Sequence, residues 1–361
     1  MGLTDAVEKR TRPTKSGLME VPSMSNERAG GCTPQATIGL RGLHRYSRLL
    51  AGATFILIFA GGLVTSTGSA LAVPDWPLSF GKFFPKMQGG VLYEHGHRMI
   101  AGTVALMTLG LAIWAWRAEG RRFVRNLALF AFGLVIVQAV LGGLTVLLLL
   151  PLAIAVSHAA TAQAFFCLTI ALALFTNPAW QKLPAVESAR ERPRLPELAA
   201  VTTGIIYLQI LIGAVMRHMG AGLAIPDFSL AFGRILPPLE SLPEQINYAH
   251  RVGAVVVSVF VCWTAIVAIR NYRGDALLRR PAIGMLALLV VQITLGGLTI
   301  LSARAVVPTT AHVAIGAALL ATSLALTLRT YRMIDGRLTG RSREFSSVNA
   351  RSRAIGRQVT A

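Results

Sequence analysis

The sequence predicts an all-α polytopic membrane protein in which eight transmembrane helices form two tandem four-helix bundles. Three observations support this fold class: the composition, eight long apolar segments and an internal repeat. Hydrophobic residues make up 53% of the 361-residue chain and charged residues 14%, whereas an ordinary soluble domain has about 25% charged residues. This composition excludes a disordered chain and a small disulfide-stabilised scaffold.

The eight apolar segments are each long enough to cross a bilayer, which requires about 20 mostly apolar residues in a helix. Cys167 and Cys262 lie inside these segments and Cys32 lies before them. We interpret the first two cysteines as packing residues, and we predict neither a disulfide nor a cysteine metal site. The predicted transmembrane helices are 47–66, 97–116, 126–147, 152–176, 197–217, 249–270, 282–302 and 307–328.

The basic residues predict the orientation in the membrane. The 35 Lys and Arg residues give a formal net charge of +19, but they form short clusters between apolar segments, so we expect membrane lipid and no nucleic acid as a partner. The positive-inside rule places both termini and these clusters in the cytoplasm of a bacterial-type cell. The connections 67–94 and 218–247 then face outward. Most basic residues lie in 1–48, 117–125, 182–194, 270–280 and from Arg329 onward.

The apolar segments belong to a tandem repeat. GGLVTSTGSALAVPDWPLSFG from Gly61 aligns without gaps with GAVMRHMGAGLAIPDFSLAFG from Gly213, and QAVLGGLTVLL from Gln138 matches QITLGGLTILS from Gln292. Each half holds an even number of spans, so the sequence predicts a pseudo-two-fold axis along the membrane normal. We predict a polar cytoplasmic segment, a four-helix bundle, a cytoplasmic linker, a second bundle and a basic cytoplasmic tail, at 1–45, 46–177, 178–196, 197–328 and 329–361.

Four of the seven histidines stand at equivalent positions of the two halves. His97 and His250 are predicted to begin the second helix of each half, and His158 and His312 lie near the start of the fourth. These two helices of a half begin at the same membrane face, so each pair lies at one depth, toward the outer face. Facing imidazoles on the helices of a bundle are suited to binding a haem iron from both sides.

Other interpretations of these histidines stay open. A hydrogen-bonded packing role suits a single buried ring, and imidazole also binds zinc or copper. Against a purely protein-bound metal, no thiolate is repeated, and the repeated Asp75 and Asp227 lie in segments typical of turns. His95 and His218 have no repeated counterpart, so we assign them no ligand role. Glycine pairs indicate close helix packing and leave room for a flat macrocycle, at 61–62, 142–143 and 296–297.

An arginine directly follows the first histidine of each half. Arg98 follows His97, and Arg251 follows His250. A guanidinium is a planar two-donor fork that matches a carboxylate, so these arginines are candidates to pair with haem propionates. The alternative is a basic side chain that only extends to the membrane surface.

The two halves differ beside these histidines. Glu94 lies one helical turn before His97, so the two side chains share a face, and its counterpart in the second half is Asn247. A partly desolvated carboxylate is suited to moving protons in catalysis. We therefore interpret the first half as the reacting half and the second as the half that holds a fixed cofactor. The alternative is that Glu94 only stabilises the start of its helix.

These motifs, in this order, resemble the haem A synthase family over about residues 44–330. The resemblance rests on the segment from Gly61 to Gly81, the E-x-x-H-R motif from Glu94 to Arg98, and the three later histidines. It implies that Glu94 is catalytic and that one histidine pair flanks the substrate haem O while the other ligates a haem b. The substrate pair is His97 and His158, and the haem b pair is His250 and His312.

The resemblance also implies a reaction. The family oxidises a methyl substituent of haem O to a formyl group by two successive hydroxylations, which yields haem A for terminal oxidases. Molecular oxygen and an electron donor are required, and no residue identifies the donor. Haem O synthase is a partner that this context suggests without support from any residue. Some relatives carry a cysteine pair in the outer connections, which 67–94 and 218–247 lack, so a thiol–disulfide role is in doubt.

Two other functions fit parts of the pattern. A dihaem b-type membrane electron-transfer protein would share the bundles and the four histidines. It would not need the difference between Glu94 and Asn247, and it would favour haems at opposite membrane faces. A transporter also fits a parallel repeat, but it requires charged residues near the membrane centre, and the predicted spans contain few.

Overall fold

The computed structural model describes residues 34–187 and 192–335, with side chains from residue 40 onward. This part of the chain forms eight long α-helices, each long and apolar enough to cross a membrane. The predicted all-α polytopic membrane fold is confirmed, and β-structure among the described residues is limited to two isolated bridges. The helices are α1 Pro34–Ser66, α2 Gly90–Ala118, α3 Arg122–Leu147, α4 Leu152–Phe175, α5 Leu195–His218, α6 Leu242–Asn271, α7 Ala276–Leu301 and α8 Val306–Met333.

Two helices begin earlier than the sequence predicts. α2 and α6 begin at Gly90 and Leu242, so the expectation that His97 and His250 begin these helices is wrong, and both lie about two turns inside. The first two turns of each helix mix apolar residues with polar ones, so a search for long apolar segments does not include them. In α6 the start is defined by a capping box at Ser241, which satisfies backbone N–H groups that have no partner within the helix.

Helices also cross three of the predicted domain boundaries. α1 begins at Pro34, so the end of the predicted polar segment 1–45 is helical. α5 begins at Leu195, and α8 continues to Met333 into the predicted tail. Helical hydrogen bonding continues beyond the apolar core of a span, because polar side chains at the membrane surface do not interrupt it. The described residues do not include 1–33, 188–191 or 336–361. The remaining parts of the predicted polar segment, linker and tail lie outside them.

Each half packs its four helices around its own core. In the first half α1 contacts α2 and α4, and α3 contacts α2 and α4; α5 to α8 repeat this arrangement. Leu50 and Leu172 are buried in the first core, and Met285 and Leu320 in the second. The halves meet along α1, α4, α5 and α8. These neighbours are the ones that two four-helix bundles require, and the two-fold axis stays a prediction.

The cysteines within the described residues have a packing role. Cys167 and Cys262 are free thiols, and both lie partly buried against the core of the second half. This agrees with their interpretation as packing residues. Cys32 lies outside the described residues.

The two long loops, 67–89 and 219–241, contain the repeated aspartates and have the same internal structure. Asp75 accepts hydrogen bonds from the backbone N–H groups of Phe80 and Gly81, at 2.7 and 2.8 Å. Asp227 makes the equivalent two contacts in its own loop, both at 2.9 Å. The interpretation of both aspartates as turn residues is confirmed. Each carboxylate closes a compact turn, which positions the aromatic residue that follows it in the sequence.

We expect the two long loops to open in acid. The N–H donors of Gly81 and Phe80 hold the pKa of Asp75 below its ordinary value, and the equivalent donors do the same for the pKa of Asp227. A carboxyl with a lowered folded-state pKa stabilises the fold above its unfolded-state pKa, and this contribution is lost as the pH falls through the folded-state pKa. Hydrogen exchange of loop peptides, corrected for intrinsic rates, should therefore show protection at neutral pH that falls below about pH 4.

The matched variant for this experiment is Asp227→Asn. It should remove the acid-dependent step from residues 219–241 and leave that of residues 67–89 in place, which makes the first loop an internal control. Unchanged acid dependence in both loops would show that other groups open them.

Candidate functional site

The structure brings the two rings of the second predicted histidine pair next to each other. The ring centres of His250 on α6 and His312 on α8 are 6.5 Å apart, and their planes are inclined by 70°. An imidazole nitrogen binds a metal at about 2 Å, so two imidazoles on opposite sides of one metal have ring centres roughly 6 Å apart. The observed separation therefore fits two axial ligands of one metal. In the first half, His97 on α2 and His158 on α4 are close enough to interact electrostatically.

A glycine of a neighbouring helix faces each of the four histidines. A Cβ atom built on any of these glycines would lie about 3 Å from the Cε1 atom of the imidazole, which is closer than ordinary van der Waals contact. The glycine pairs were expected to allow close helix packing, and in the structure the packing contact is with a histidine ring. The contacts are Gly61 with His97 at 3.1 Å, Gly142 with His158 at 3.0 Å, Gly213 with His250 at 2.9 Å, and Gly296 with His312 at 3.2 Å.

The second glycine of two of these pairs contacts an aromatic residue of a long loop. A Cβ on Gly143 would lie 2.6 Å from the ring of Trp76, and one on Gly297 would lie 2.8 Å from the ring of Phe228. These aromatic residues directly follow the turn-forming aspartates. Each loop is therefore seated on α3 or α7, one residue away from the glycine that contacts a histidine. The loop covers the histidine end of its own bundle.

The imidazole Nδ1 atoms of the second half have polar partners. His312 Nδ1 lies 3.1 Å from the backbone carbonyl of Gln292, to which an Nδ1–H donates. His250 Nδ1 lies 3.0 Å from the side-chain amide of Gln209, which also donates to the His250 carbonyl at 2.7 Å. A partner on one ring nitrogen orients the imidazole and selects which nitrogen faces a metal. His312 Nε2 also lies 3.4 Å from the side-chain amide of Gln292.

The Nδ1 atoms of the first half lack such partners, although His158 Nε2 lies 3.5 Å from the side-chain amide of Gln138. Nδ1 of His97 and Nδ1 of His158 are enclosed, and neither has a hydrogen-bond partner among the described residues. The residue that aligns with Gln209 is Leu57, which has no hydrogen-bonding side chain. Gln209 was not identified from the sequence, although the repeat alignment contains this difference four residues before Gly61 and its counterpart. The two halves therefore differ at Nδ1, which has a polar contact in both rings of the second half and in neither ring of the first.

Glu94 is buried between α2 and the first long loop, with 3% of its surface exposed. One carboxylate oxygen accepts from Arg98 Nη2 at 2.7 Å, and the other accepts from the backbone N–H of Val73 at 2.9 Å. The start of α2 is capped by no side chain, so Glu94 does not serve as the helix cap considered above. A buried carboxylate needs such partners because desolvation of an unpaired charge is costly.

Arg98 and Arg251 connect the long loops to the helices that carry the histidines. Arg98 donates to the carbonyls of Asp75 and Leu78, at 2.7 and 2.8 Å. Arg251 donates to the carbonyls of Leu230 and Ile225, also at 2.7 and 2.8 Å. These contacts differ from those of a basic side chain that only extends to the membrane surface. The pairing of both arginines with propionates stays a prediction.

Asn247, the counterpart of Glu94, donates a hydrogen bond to its loop, whereas Glu94 accepts one from its own loop. The Asn247 amide donates to the carbonyl of Ala221 at 2.8 Å and accepts from Arg251 Nε at 2.9 Å. The amide therefore anchors its loop without an ionisable group. Both positions are structural anchors, and only the first half combines the anchor with a carboxylate next to a histidine pair.

The donor set limits the kind of metal that the site suits. Within residues 34–187 and 192–335, no group of three or more His, Cys, Asp or Glu side chains is arranged to hold a metal ion. Two imidazoles do not complete the coordination of a metal ion. A haem would bring four pyrrole nitrogens as the further ligands. His95 does not join the pair, because its Nδ1 is bound to Ser79 Oγ at 2.8 Å. The paired residues fit a haem better than a structural zinc ion.

Fold and site together define an integral membrane protein with a histidine pair in each of two repeated helical halves. Comparison with known protein families identifies the family of this membrane protein. The chain belongs to the COX15-CtaA family, described as cytochrome oxidase assembly protein, which matches residues 44–324.

Individual relatives agree with this assignment. The chain is 30% identical to the heme A synthase of Staphylococcus saprophyticus over 256 residues, which cover 69% of this chain and 84% of the relative. It is 30% identical to the heme A synthase of Symbiobacterium thermophilum over 271 residues, covering 72% and 86%. It is 27% identical to the heme A synthase of Geobacillus kaustophilus over 263 residues, covering 72% and 82%.

Proposed function

We propose that the chain is a haem A synthase, which oxidises a methyl substituent of haem O to the formyl group of haem A for terminal oxidases. The observation that carries this proposal is the pair of repeated histidine sites with unequal surroundings. The second site has its imidazoles 6.5 Å apart and oriented by polar partners. The first has a buried carboxylate beside the histidines, and neither Nδ1 of its imidazoles has a hydrogen-bond partner within the described residues.

The two sites have different roles in this proposal. His250 and His312 hold a haem b that remains with the protein, and His97 and His158 hold haem O, which must enter and leave. Haem b supplies one-electron transfer, and molecular oxygen supplies the oxygen atom of the formyl group. Each of two hydroxylations consumes one O2, two electrons and two protons and releases one water. Loss of a further water from the resulting gem-diol leaves the aldehyde.

Glu94 is the residue that handles protons in this proposal. Its carboxylate lies one turn from His97 and is bound to Arg98 and to the first loop. Hydroxylation takes up protons inside a site that excludes water, so a carboxylate at its edge is suited to delivering them. Arg98 and the Val73 N–H hold the carboxylate in one place. Asn247 does not titrate, so the second half has no equivalent donor.

The orientation follows from the distribution of basic residues. Both termini lie in the cytoplasm and the two long loops lie outside, because the basic clusters are at the other ends of the helices. The histidine pairs then lie in the outer part of a bacterial-type cytoplasmic membrane, under the loops. The electron donor is not identified by any residue, and haem O synthase is a candidate partner because it supplies the substrate.

The test is to extract haems from the purified full chain, produced in cells with and without haem O synthase, and to identify them by chromatography and mass spectrometry. We expect haem b in both preparations, with haem A or its hydroxylated intermediate only when haem O synthase is present. Haem b alone under both conditions would contradict the proposal and favour a dihaem electron-transfer protein.

A substitution within α5 tests the glycine contact of the haem b site. Gly213→Ala places a methyl group 2.9 Å from His250 Cε1, and such overpacking costs about 1–3 kcal/mol. We expect roughly tenfold weaker retention of haem b, measured as haem per protein by the pyridine haemochrome spectrum after dilution. Gly204→Ala is the matched control, because a Cβ there meets no atom within 4 Å. Equal losses in the two variants would show that the contact with His250 is unimportant.

A further inference from the structure

Two arginines near the second histidine pair have no basic counterpart in the first half. Arg217 lies near the end of α5, where the first half has Thr65, and Arg304 lies between α7 and α8, where the first half has Leu150. The backbone at Arg304 and Leu150 is the same left-handed turn, with φ of 67° and 62°. The difference between the halves is therefore confined to the side chains. It adds two positive charges to the half that we assign to the resident haem.

Arg217 is positioned by the first half of the protein. Its Nη2 donates to the Gly62 carbonyl at 3.0 Å and to Ser66 Oγ at 2.8 Å, both on α1. Thr310 on α8 also donates to Ser66 Oγ, at 2.9 Å. The guanidinium is thus held where α1, α5 and α8 meet. Its Nε is enclosed and has no hydrogen-bond partner among the described residues, which leaves this N–H for a further ligand.

The two arginines lie close to each other and to the haem b pair. Arg217 interacts electrostatically with Arg304 and with His312. Arg304 packs beside Gly222, where a Cβ would lie 3.7 Å from its side chain. No carboxylate of the described residues pairs with either, since the ion pairs found there involve Arg98, Arg121 and Arg194. Neighbouring cations repel each other unless an anion lies between them, so this arrangement is suited to binding an anion.

We propose that Arg217 and Arg304 bind a carboxylate of the macrocycle held by His250 and His312. This inference rests on the proposed function, because that function supplies the propionate-bearing haem. A propionate fits better than a lipid phosphate, because Arg217 lies at the junction of three helices and beside His312 rather than on the lipid-facing side. Arg251 is less available for this contact, because it donates to two loop carbonyls and to Asn247.

The proposal explains how the halves treat their haems differently. A carboxylate paired with arginine forms charge-assisted hydrogen bonds, which are stronger than neutral ones. The resident haem is held by these bonds in addition to its two imidazoles. The substrate site has Thr65 and Leu150 at the same positions, so haem O is held less firmly there and its product is free to leave.

The test measures haem loss from the full-length protein. Apoprotein is reconstituted with iron protoporphyrin IX or with its dimethyl ester, and transfer of haem to excess apomyoglobin is followed by absorbance. We expect Arg217→Gln to accelerate transfer of the protoporphyrin roughly 10- to 100-fold, as loss of a charged hydrogen bond predicts. The variant should not change transfer of the ester, which has no carboxylate. With the protoporphyrin, the transfer rate of Arg217→Lys should lie between those of the wild type and Arg217→Gln, because lysine keeps the charge but loses the planar two-donor guanidinium.

The controls separate this inference from the proposed function. Arg234→Gln removes an exposed cation of the second loop and should leave both transfer rates unchanged. Equal acceleration with the protoporphyrin and its ester would indicate a lipid phosphate or a purely structural role and would overturn the inference. Unchanged transfer in Arg217→Gln would overturn it as well, while the proposed function would stand. A wild-type protein that binds no haem in its second half would overturn both.

Discussion

We expect Glu94→Gln to reduce haem A formation roughly 10²- to 10⁴-fold, the range typical of losing a general acid or base, while haem b and haem O remain bound. The amide keeps the shape of the side chain and an oxygen that accepts from the Val73 N–H, so the first loop keeps this anchor. It removes the ionisable group beside His97. Haem A, its hydroxylated intermediate and haem O are quantified by mass spectrometry of extracts from purified protein.

A comparison with Arg98→Gln separates proton transfer from structure. This variant breaks the same ion pair with Glu94 and also removes the contacts to the Asp75 and Leu78 carbonyls, but it leaves the carboxylate in place. If the ion pair only stabilises the loop, Arg98→Gln will lose at least as much activity as Glu94→Gln. If Glu94 handles protons, Glu94→Gln will show the larger loss and a changed pH profile. Normal haem A yield from Glu94→Gln would remove this residue from the mechanism.

The second large effect is expected from removing one histidine of each pair. His312→Ala should abolish retention of haem b, because one of the two histidines that would hold it is lost, and the effect should exceed the 10- to 100-fold typical of losing only a ligand's outer hydrogen-bond partner. His158→Ala should retain haem b and lose haem O processing. The measurement combines the reduced-minus-oxidised absorbance spectrum with identification of the extracted haems, for purified full-length variants.

The control for this pair is His44→Ala. His44 lies on α1 near its start, and its Nδ1 contacts the Ala173 carbonyl at 3.0 Å, so it touches neither histidine pair. It should leave both the haem content and the spectrum unchanged. Equal loss of haem b from His158→Ala and His312→Ala would show that the two halves are equivalent and would contradict the division into substrate and resident sites.

The fold class follows from the sequence because crossing a membrane is a local requirement. About 20 apolar residues in a row define a span wherever they lie in the chain, and all eight predicted spans are helices in the structure. The repeat similarly identifies equivalent histidines without knowledge of any contact. The starts of α2 and α6 were not predicted, because their first two turns mix apolar residues with polar ones and a search for long apolar segments does not include them.

The sequence by itself thus determined the membrane fold, the duplication, and which histidines, carboxylate and arginines are candidates for chemistry. Only the tertiary structure decided what these residues touch: the glycine that each imidazole faces, the loop carbonyls that bind Arg98 and Arg251, and the position of Arg217 against α1. These contacts join residues that are far apart in the chain. They depend on the rotation of each helix about its axis and on the path of each loop, and no local pattern in the sequence encodes either.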